Sequence, residues 1–434
     1  MYEFITYLLR FLLGEDNEHF LSSISYGPSE TARVVIQPSN FFDDGVYLTE
    51  KSLPALPLAE LDDVPVLFGT PKVWEEHGQL HIGADLVAST YFLVTRYEEC
   101  VRREVRDQHG RFPGKESLGH RAGFLHRPIV EEYGKLLRKY LRQTGLDVKE
   151  PETGFSHVYL THDVDEIWTW DNPYRALRST VKRILTNQPE KWRPLLSIMN
   201  YRKYDPAYTF PWLVEQDDGV RNVCGASRCT PLYFLMGCVD QQYTDKGYLS
   251  NRKRTQDLIS DLQRANCVIG YHTSYAASLD LSQVVPEVAR IAELAGHPIT
   301  QERHHFLASR EPEDFRVLIQ AGITDDFTMG YADVAGFRLG TCRPVHWIDP
   351  IKRELTKLML HPMTIMEGTL DHPDYMGIAK EEEAFEIVSS LLKQIHAYGG
   401  EAILLWHSPS VYPRADSYQR ALYERTLKYL RTLA

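Results

Sequence analysis

Four short stretches of the sequence carry residue types that can hold a metal ion and move a proton. Thr161-His162-Asp163-Val164-Asp165 follows the apolar run Val158–Leu160, and Tyr271-His272-Thr273-Ser274 follows Val268-Ile269-Gly270. Arg303-His304-His305 stands before Phe306-Leu307, and His407 follows Leu404-Leu405-Trp406. Carboxylates and neutral imidazoles are good ligands for zinc and similar divalent ions. Asp163 and Asp165 are two apart, so an extended backbone turns both the same way, and one can bind metal while the other acts as a base. The same rule sets Arg303 and His305 on one side. His162 and His304 then point away and read as structural. An Asp after a strand is also a common turn former, and a single His there is more often structural. The recurrence at four ends is what points to a site.

Such residues work together only if a fold gathers them. Beyond residue 150 short apolar runs recur at Val158–Leu160, Leu232–Met236, Val268–Tyr271 and Ala402–Trp406. Helical stretches such as Tyr248–Asn266 and Glu382–Tyr398 lie between them, and this alternation predicts parallel β/α units. In parallel β/α architectures catalytic groups collect at the C-terminal ends of strands. The Glu382 helix turns Phe385, Ile387, Val388, Leu391, Leu392 and Ile395 inward and stops at Gly399-Gly400. Residues 1–150 read as a separate, smaller α/β unit. It has a strand at Ala32–Pro38, loops and short turns over Leu53–Pro71, a buried helix over Ile82–Cys100 and a helix from Pro128 to Leu141. The polar linker Thr144–Gly154 marks the boundary with a second unit, 151–434.

Composition narrows the class. The chain has 434 residues, 43% hydrophobic and 25% charged, enough apolar content for a packed core and too much for disorder. Its net charge is −11 and no basic block stands out, which argues against a nucleic-acid backbone or an anionic membrane as partner. None of the six cysteines lies in a C-x-x-C pair, so they read as free, mostly buried thiols of a reducing compartment. The N-terminal apolar stretch Phe4–Leu13 lacks a basic start and a cleavage site. No run reaches the ~20 apolar residues that span a bilayer. The expectation is a cytoplasmic protein whose first helix packs into the fold.

Thr161-His162-Asp163-Val164-Asp165 resembles the first motif of the polysaccharide deacetylase superfamily, carbohydrate esterase family 4. That motif is commonly T-F-D-D-G, with a D-V-D version in relatives, where the first Asp is the base and the second a metal ligand. Thr230-Pro231-Leu232-Tyr233-Phe234-Leu235-Met236-Gly237 is similar to the family's A-T-F-F-x-x-G strand, and Gly270-Tyr271-His272-Thr273 to its second motif, which supplies a ligating His. Arg303-His304-His305-Phe306 resembles the third motif, R-x-P-Y, and Leu404-Leu405-Trp406-His407 the last, whose His is the general acid. The motifs occur in family order across residues 155–434. Further segments resemble an uncharacterised bacterial subgroup with an extra N-terminal domain: Asp85–Phe92, Arg96–Glu99, Arg127–Val130, and Gly330-Tyr331 followed by Gly336-Phe337-Arg338. One position departs. The family's second motif carries another ligating His four residues after the first, and here that residue is Ala276.

The resemblance implies a distorted (β/α)7 barrel behind the smaller N-terminal α/β domain. It implies a divalent metal, zinc first and cobalt or nickel as alternatives, on Asp165 and His272; for the missing His the candidate is His305, on the side of Arg303, and the second candidate His407, whose use as a ligand would remove the general acid. Asp163 would be the base, held ionised by Arg303, and His407 the general acid, with Asp325 or Asp326 as its orienter. The Phe306 backbone N–H would hold an oxyanion, Trp168 would wall the cleft, and Arg338 would meet an acidic substrate group. The implied reaction removes acetyl from an N-acetylated sugar of a polysaccharide or cell-envelope precursor. Two alternatives stand beside it. One is an inactive relative that binds a glycan or protein, which Ala276 favours; the other is a hydrolase of a non-sugar amide, which shares the chemistry.

Overall fold

The computed structural model describes residues 3–414 and 416–433. Helix α1 (Glu3–Leu13) buries Phe4, Ile5, Leu8, Leu9, Leu12 and Leu13 along one face, which anchors the chain's start in the core. Around it lie β1 (Ile24–Tyr26) and β2 (Val34–Ile36), the antiparallel pair β3 (Ala59–Leu61) and β4 (Val64–Val66), and the hairpin β5 (Gly69–Glu76) and β6 (Gln79–Ala84). The first sheet runs β1-β2-β6-β5. Two expectations need correction. Residues 53–71 hold the β3–β4 pair rather than loops alone, and Ile82–Cys100 is not one helix. The strand runs to Ala84, and the Asp85 carboxylate accepts from Ala88 N at 2.8 Å and Ser39 N at 2.7 Å to cap α2 (Leu86–Val94). Arg96, left-handed at φ 57°, then breaks the chain before α3 (Tyr97–Val101). After α4 (Leu118–Arg121), α5 (Ile129–Gln143) follows Pro128 as its spacing predicts.

The second sheet is large and almost wholly parallel. Its strands are β7 (His157–Val164), β8 (Cys229–Met236), β9 (Val268–Thr273), β10 (Gln301–His304), β11 (Asp325–Asp326), β12 (Val345–Asp349), β13 (Glu354–Leu360), β14 (Ile365–Met366) and β15 (Glu401–Leu405). They lie in the order β12-β13-β11-β10-β9-β8-β7-β15-β14, and only the β12–β13 pairing is antiparallel. Between β7 and β8 run α6 (Pro173–Leu185), α7 (Arg193–Met199), α8 (Tyr201–Tyr204) and α9 (Phe210–Cys224). Helices Arg252–Arg264, Val284–Ala295, Glu381–Ala397 and Gln419–Leu433 pack on the sheet, their apolar stripes buried. The fold is thus mixed α/β around a mainly parallel sheet, as strand–helix alternation requires.

The sheet curls strongly. Only residues 361–364 separate β13 from β14, so one run of chain pairs with β11 at its start and with β15 at its end. Across that seam His361 Nδ1 lies 2.7 Å from Glu401 on β15, and its Nε2 lies 3.1 Å from Asp325 on β11. Inside the curl Leu232, Phe234, Leu307, Phe327, Met363, Ile403 and Leu405 form an apolar cluster of their own. This curvature draws the C-terminal ends of β7, β9, β10 and β15 together. All six cysteines are free and buried. Among the described residues no helix is long and apolar enough to cross a membrane.

Candidate metal centre and catalytic groups

At the C-terminal mouth of the curled sheet, Asp165, His272 and His305 present donor atoms that all lie within 4.8 Å of one another. His272 Nε2 is 3.2 Å and His305 Nε2 3.6 Å from Asp165 Oδ1. Each imidazole is fixed from behind. His272 Nδ1 lies 2.8 Å from the Arg303 carbonyl, which can only accept, so this nitrogen carries the proton and leaves Nε2 a free donor pair. His305 Nδ1 lies 2.8 Å from the Asp245 carboxylate, with the same consequence. Such backing interactions set the tautomer and aim of a metal-bound His. Burial alone would push the Asp165 carboxyl up, but the charges and hydrogen bonds of His305 and His272 outweigh it and hold the group well below its usual range. One carboxylate oxygen and two imidazole nitrogens, with one side open, fit zinc or a similar divalent ion.

Ala276 lies at the start of a short helix whose backbone fastens Asp245. Its backbone N–H, and that of Tyr275, each donate to the Asp245 carboxylate at 3.0 Å. The start of the short helix Tyr275–Leu279 therefore holds the residue that aims His305. His305 itself stands at a turn where Phe306 and Leu307 both adopt left-handed conformations, φ 59° and 54°. Nothing in the sequence between 237 and 247 marks Asp245 for this task beyond its being an acid in a polar loop.

Two proton-handling groups flank the triad. Asp163 lies on β7 with Oδ1 3.0 Å from Arg303 Nη1 and Oδ2 3.7 Å from His272 Nε2. Arg303 is fully enclosed: it also donates to Thr161 Oγ1 at 2.7 Å and to the Phe327 carbonyl at 3.0 Å, and its guanidinium sits 4.5 Å from the Phe234 ring centroid. On the other side His407 Nε2 is 3.8 Å from Asp165 Oδ2, and its Nδ1 is 2.7 Å from Glu367 Oε1. That buried oxygen also accepts from His407 N and from Ser410 Oγ. Burial lowers the His407 pKa, but Glu367 first, then Asp165 and Asp163, raise it to about 10.

The orienter of His407 is therefore Glu367, not Asp325 or Asp326. Asp325 pairs with His361, and Asp326 is buried on the opposite side of the sheet beside Glu302 and His304. Glu367 follows a two-residue strand that no apolar run announces; a carboxylate one step past Ile365-Met366 is the only signal. Arg338 also departs from expectation. It is buried, donates to Glu99 at 3.0 and 2.8 Å and to the Gly330 carbonyl at 2.9 Å, and so faces no substrate. Glu99 shares its charge with Arg96, which reaches Ser309. The Arg96–Glu99 segment thus belongs to the packing between the two sheets. Trp168 lies largely buried under Arg254, yet with Glu166, Arg175, Lys246 and Arg252 it borders a polar cavity of about 380 Å³ just beyond Asp165. His162 stays structural, between the Trp406 carbonyl and Asp217.

One contribution comes from the N-terminal region. Arg111 Nη1 donates to the Phe306 carbonyl at 2.7 Å and Nη2 to Tyr375 at 3.1 Å, while Nε is held by Asp107. His109 stacks on the Phe306 ring, with centroids 4.9 Å apart and planes at 23°. The loop 107–111 thus meets the mouth.

Residues 2–146 match the model of a family of unknown function, DUF7033. The curated proteins contain no match. Among solved structures the chain is similar to the crystal structure of a "putative polysaccharide deacetylase" from Mycobacterium smegmatis. Identity is 13% and the TM-score 0.38, covering 66% of this chain and 89% of that one.

Proposed function

We propose that the protein is a metal-dependent hydrolase that removes an acetyl group from an N-acetylated sugar, within a distorted (β/α)7 barrel formed by the curled sheet. The observation that carries this reading is the convergence of Asp165, His272 and His305, each imidazole backed by an acceptor, between an Asp163–Arg303 pair and a His407–Glu367 pair. A divalent ion, zinc first, held on the three would polarise an acyl carbonyl and acidify a bound water. Asp163 accepts the proton of the attacking water, and Arg303 aims this carboxylate through Oδ1. The backbone N–H of Phe306 faces the charge that develops on the acyl oxygen. His407, positioned by Glu367, carries its proton at neutral pH and delivers it from Nε2 to the departing amine. Trp168 and the charged residues around the adjoining cavity border the sugar's approach.

Support against an inactive relative comes from Asp245, which backs His305 Nδ1 at 2.8 Å and so holds a third donor beside Asp165 and His272. The test is metal content of the purified protein beside Asp165→Ala, His272→Ala and His305→Ala, followed by acetate release from N-acetylated chito-oligosaccharides. Stoichiometric metal lost in all three variants, with release in the wild type only, is expected. A wild type that takes up no zinc, cobalt or nickel would overturn the reading. Metal with release from a simple amide but from no sugar would turn it toward a non-sugar hydrolase.

A further inference from the structure

Helices α6 and α7, two of those inserted between β7 and β8, reverse the usual rule for an amphipathic helix. Helix α6 begins at Asn172, whose side chain accepts from Arg175 N. It buries only Ala176 and Thr180. Its apolar stripe faces solvent instead: Tyr174 is 75% exposed, Leu177 52%, Val181 47% and Leu185 80%. At 100° per residue these four share one side of the helix. In and beside α7, Trp192 is 60% and Met199 83% exposed, with Leu196 between them. Eight of the seventeen large apolar residues exposed among the described residues fall within positions 174–199. Scattered exposed apolar residues need no explanation, but a contiguous patch of this kind marks a surface that meets something.

Charge identifies the partner. Across 171–204 stand eight basic residues, Arg175, Arg178, Lys182, Arg183, Lys191, Arg193, Arg202 and Lys203, against two acids, Asp171 and Glu190. This local excess sits in a chain whose net charge is −11. Several cations are engaged: Arg193 pairs with Glu190, and Arg202 with Asp261. Arg178 and Lys182, beside the apolar stripe, form no ion pair among the described residues. A second copy seated on the same face would set two cationic patches together. A nucleic-acid backbone would match the charge but leave Leu185 and Met199 unused. An apolar stripe flanked by lysine and arginine, with Tyr and Trp at its edge, matches the interface of a bilayer with anionic headgroups.

We infer that α6 and α7 form a peripheral docking face for an anionic lipid bilayer, placed beside the mouth of the curled sheet. The inference reverses the expectation, drawn from overall charge, that an anionic membrane is no partner, and it does not depend on the hydrolase reading. Arg175, in the first turn of α6, also lines the polar cavity bordered by Glu166 and Trp168, residues that follow Asp165 in the chain.

The test is flotation of the full chain with vesicles of phosphatidylcholine alone and of phosphatidylcholine mixed with phosphatidylglycerol, at low and high salt. Binding to the mixed vesicles only, weakened by salt, with a blue shift of tryptophan emission that is absent in Trp192→Ser, is expected. The double variant Arg178→Gln/Lys182→Gln should lower the partition coefficient about fivefold for each charge removed. Leu177→Ser/Leu185→Ser should lower it on the order of tenfold or more. These positions are exposed, so the variants fold. No binding to anionic vesicles overturns the inference, as does binding that the variants leave unchanged. Self-association or DNA binding that the same variants abolish, without vesicle binding, gives the face to another occupant and equally overturns it.

Discussion

Replacing Glu367 by Gln keeps the shape of the His407 partner and removes its charge. In the native protein Glu367 Oε1 accepts from His407 Nδ1 at 2.7 Å, from His407 N at 2.9 Å and from Ser410 Oγ at 2.7 Å. The His407 pKa stands at about 10 against an ordinary 6.5. At ~1.4 kcal/mol per unit, that rise is a preference for the imidazolium of about 5 kcal/mol. Three carboxylates share it, with Glu367 the largest contributor. Its removal should therefore cost at least about 2 kcal/mol and drop the His407 pKa to about 8.5 or lower. About a quarter of the His407 side chain reaches solvent, which favours the lower end of the range. Because the folded pKa lies above the unfolded one, this stability is fully present below pH ~6.5 and is lost as pH rises through ~10. Chelator-treated protein gives the cleanest assay, with an NMR titration of His407 and urea unfolding at about pH 6 and pH 10.5. The variant's deficit should be largest at the lower pH and shrink at the higher one. A His407 that still titrates near 10, or a deficit equal at both pH values, would refute the reasoning.

Other perturbations test the surrounding structure. Arg111→Met frees the Phe306 carbonyl while keeping most of the side-chain volume; hydrogen exchange over residues 304–308 should quicken on the order of tenfold or more, in line with loss of a charged hydrogen bond. Unchanged exchange there would mean the turn holds itself. His361, raised to about 9 by hydrogen bonds to Asp325 and Glu401 that overcome its burial, contributes about 3 kcal/mol that is present below pH ~6.5 and lost through ~9. His361→Gln should therefore be more destabilised at pH 6 than at pH 10 in urea titrations, and a pH-independent deficit would sink this account. Glu99 is held down to about 2, because Arg338 and Arg96 outweigh the effect of burial. Glu99→Gln leaves both guanidiniums buried with no carboxylate partner and should cost about 3–5 kcal/mol at neutral pH by chemical denaturation. A cost under about 1 kcal/mol would show that the backbone carbonyls suffice.

The strands were legible because a sheet covered on both faces needs side chains that are apolar almost throughout. Val158–Leu160, Leu232–Met236 and Ala402–Trp406 read as runs for that reason. The polar groups just past them stood out by contrast, so Asp163, Asp165, His272 and His407 could be found without a structure. His305 was legible through the two-residue period it shares with Arg303. Glu367 and Asp245 were not, since one follows a two-residue strand and the other sits in a loop, and neither position carries periodicity. The stretch Ile82–Cys100 misled because its apolar positions fit both a strand and a helix; the break lies in Asp85 and Arg96, whose partners are distant in sequence. The stripe on α6 was readable as amphipathic, but periodicity is the same whether an apolar face turns inward or outward. Only the surrounding structure reveals that it faces solvent.

His305 rides on a turn that continues through two left-handed residues, a conformation that costs side-chain-bearing residues of order 1 kcal/mol or more each. Such a turn persists only where its surroundings hold it, and here three separate elements do so. Asp245 grips the ring, the Ala308 N–H donates to the His305 carbonyl, and Arg111 grips the Phe306 carbonyl from the N-terminal region. The Arg96–Glu99–Arg338 ion network and the pairing of Asp333 with the N–H groups of Gly114 and Lys115 fix that region against the large sheet. The position of the third donor therefore depends on residues nearly two hundred places earlier in the chain. The N-terminal region thus supplies, from outside the turn, part of the rigidity that holds His305 in place.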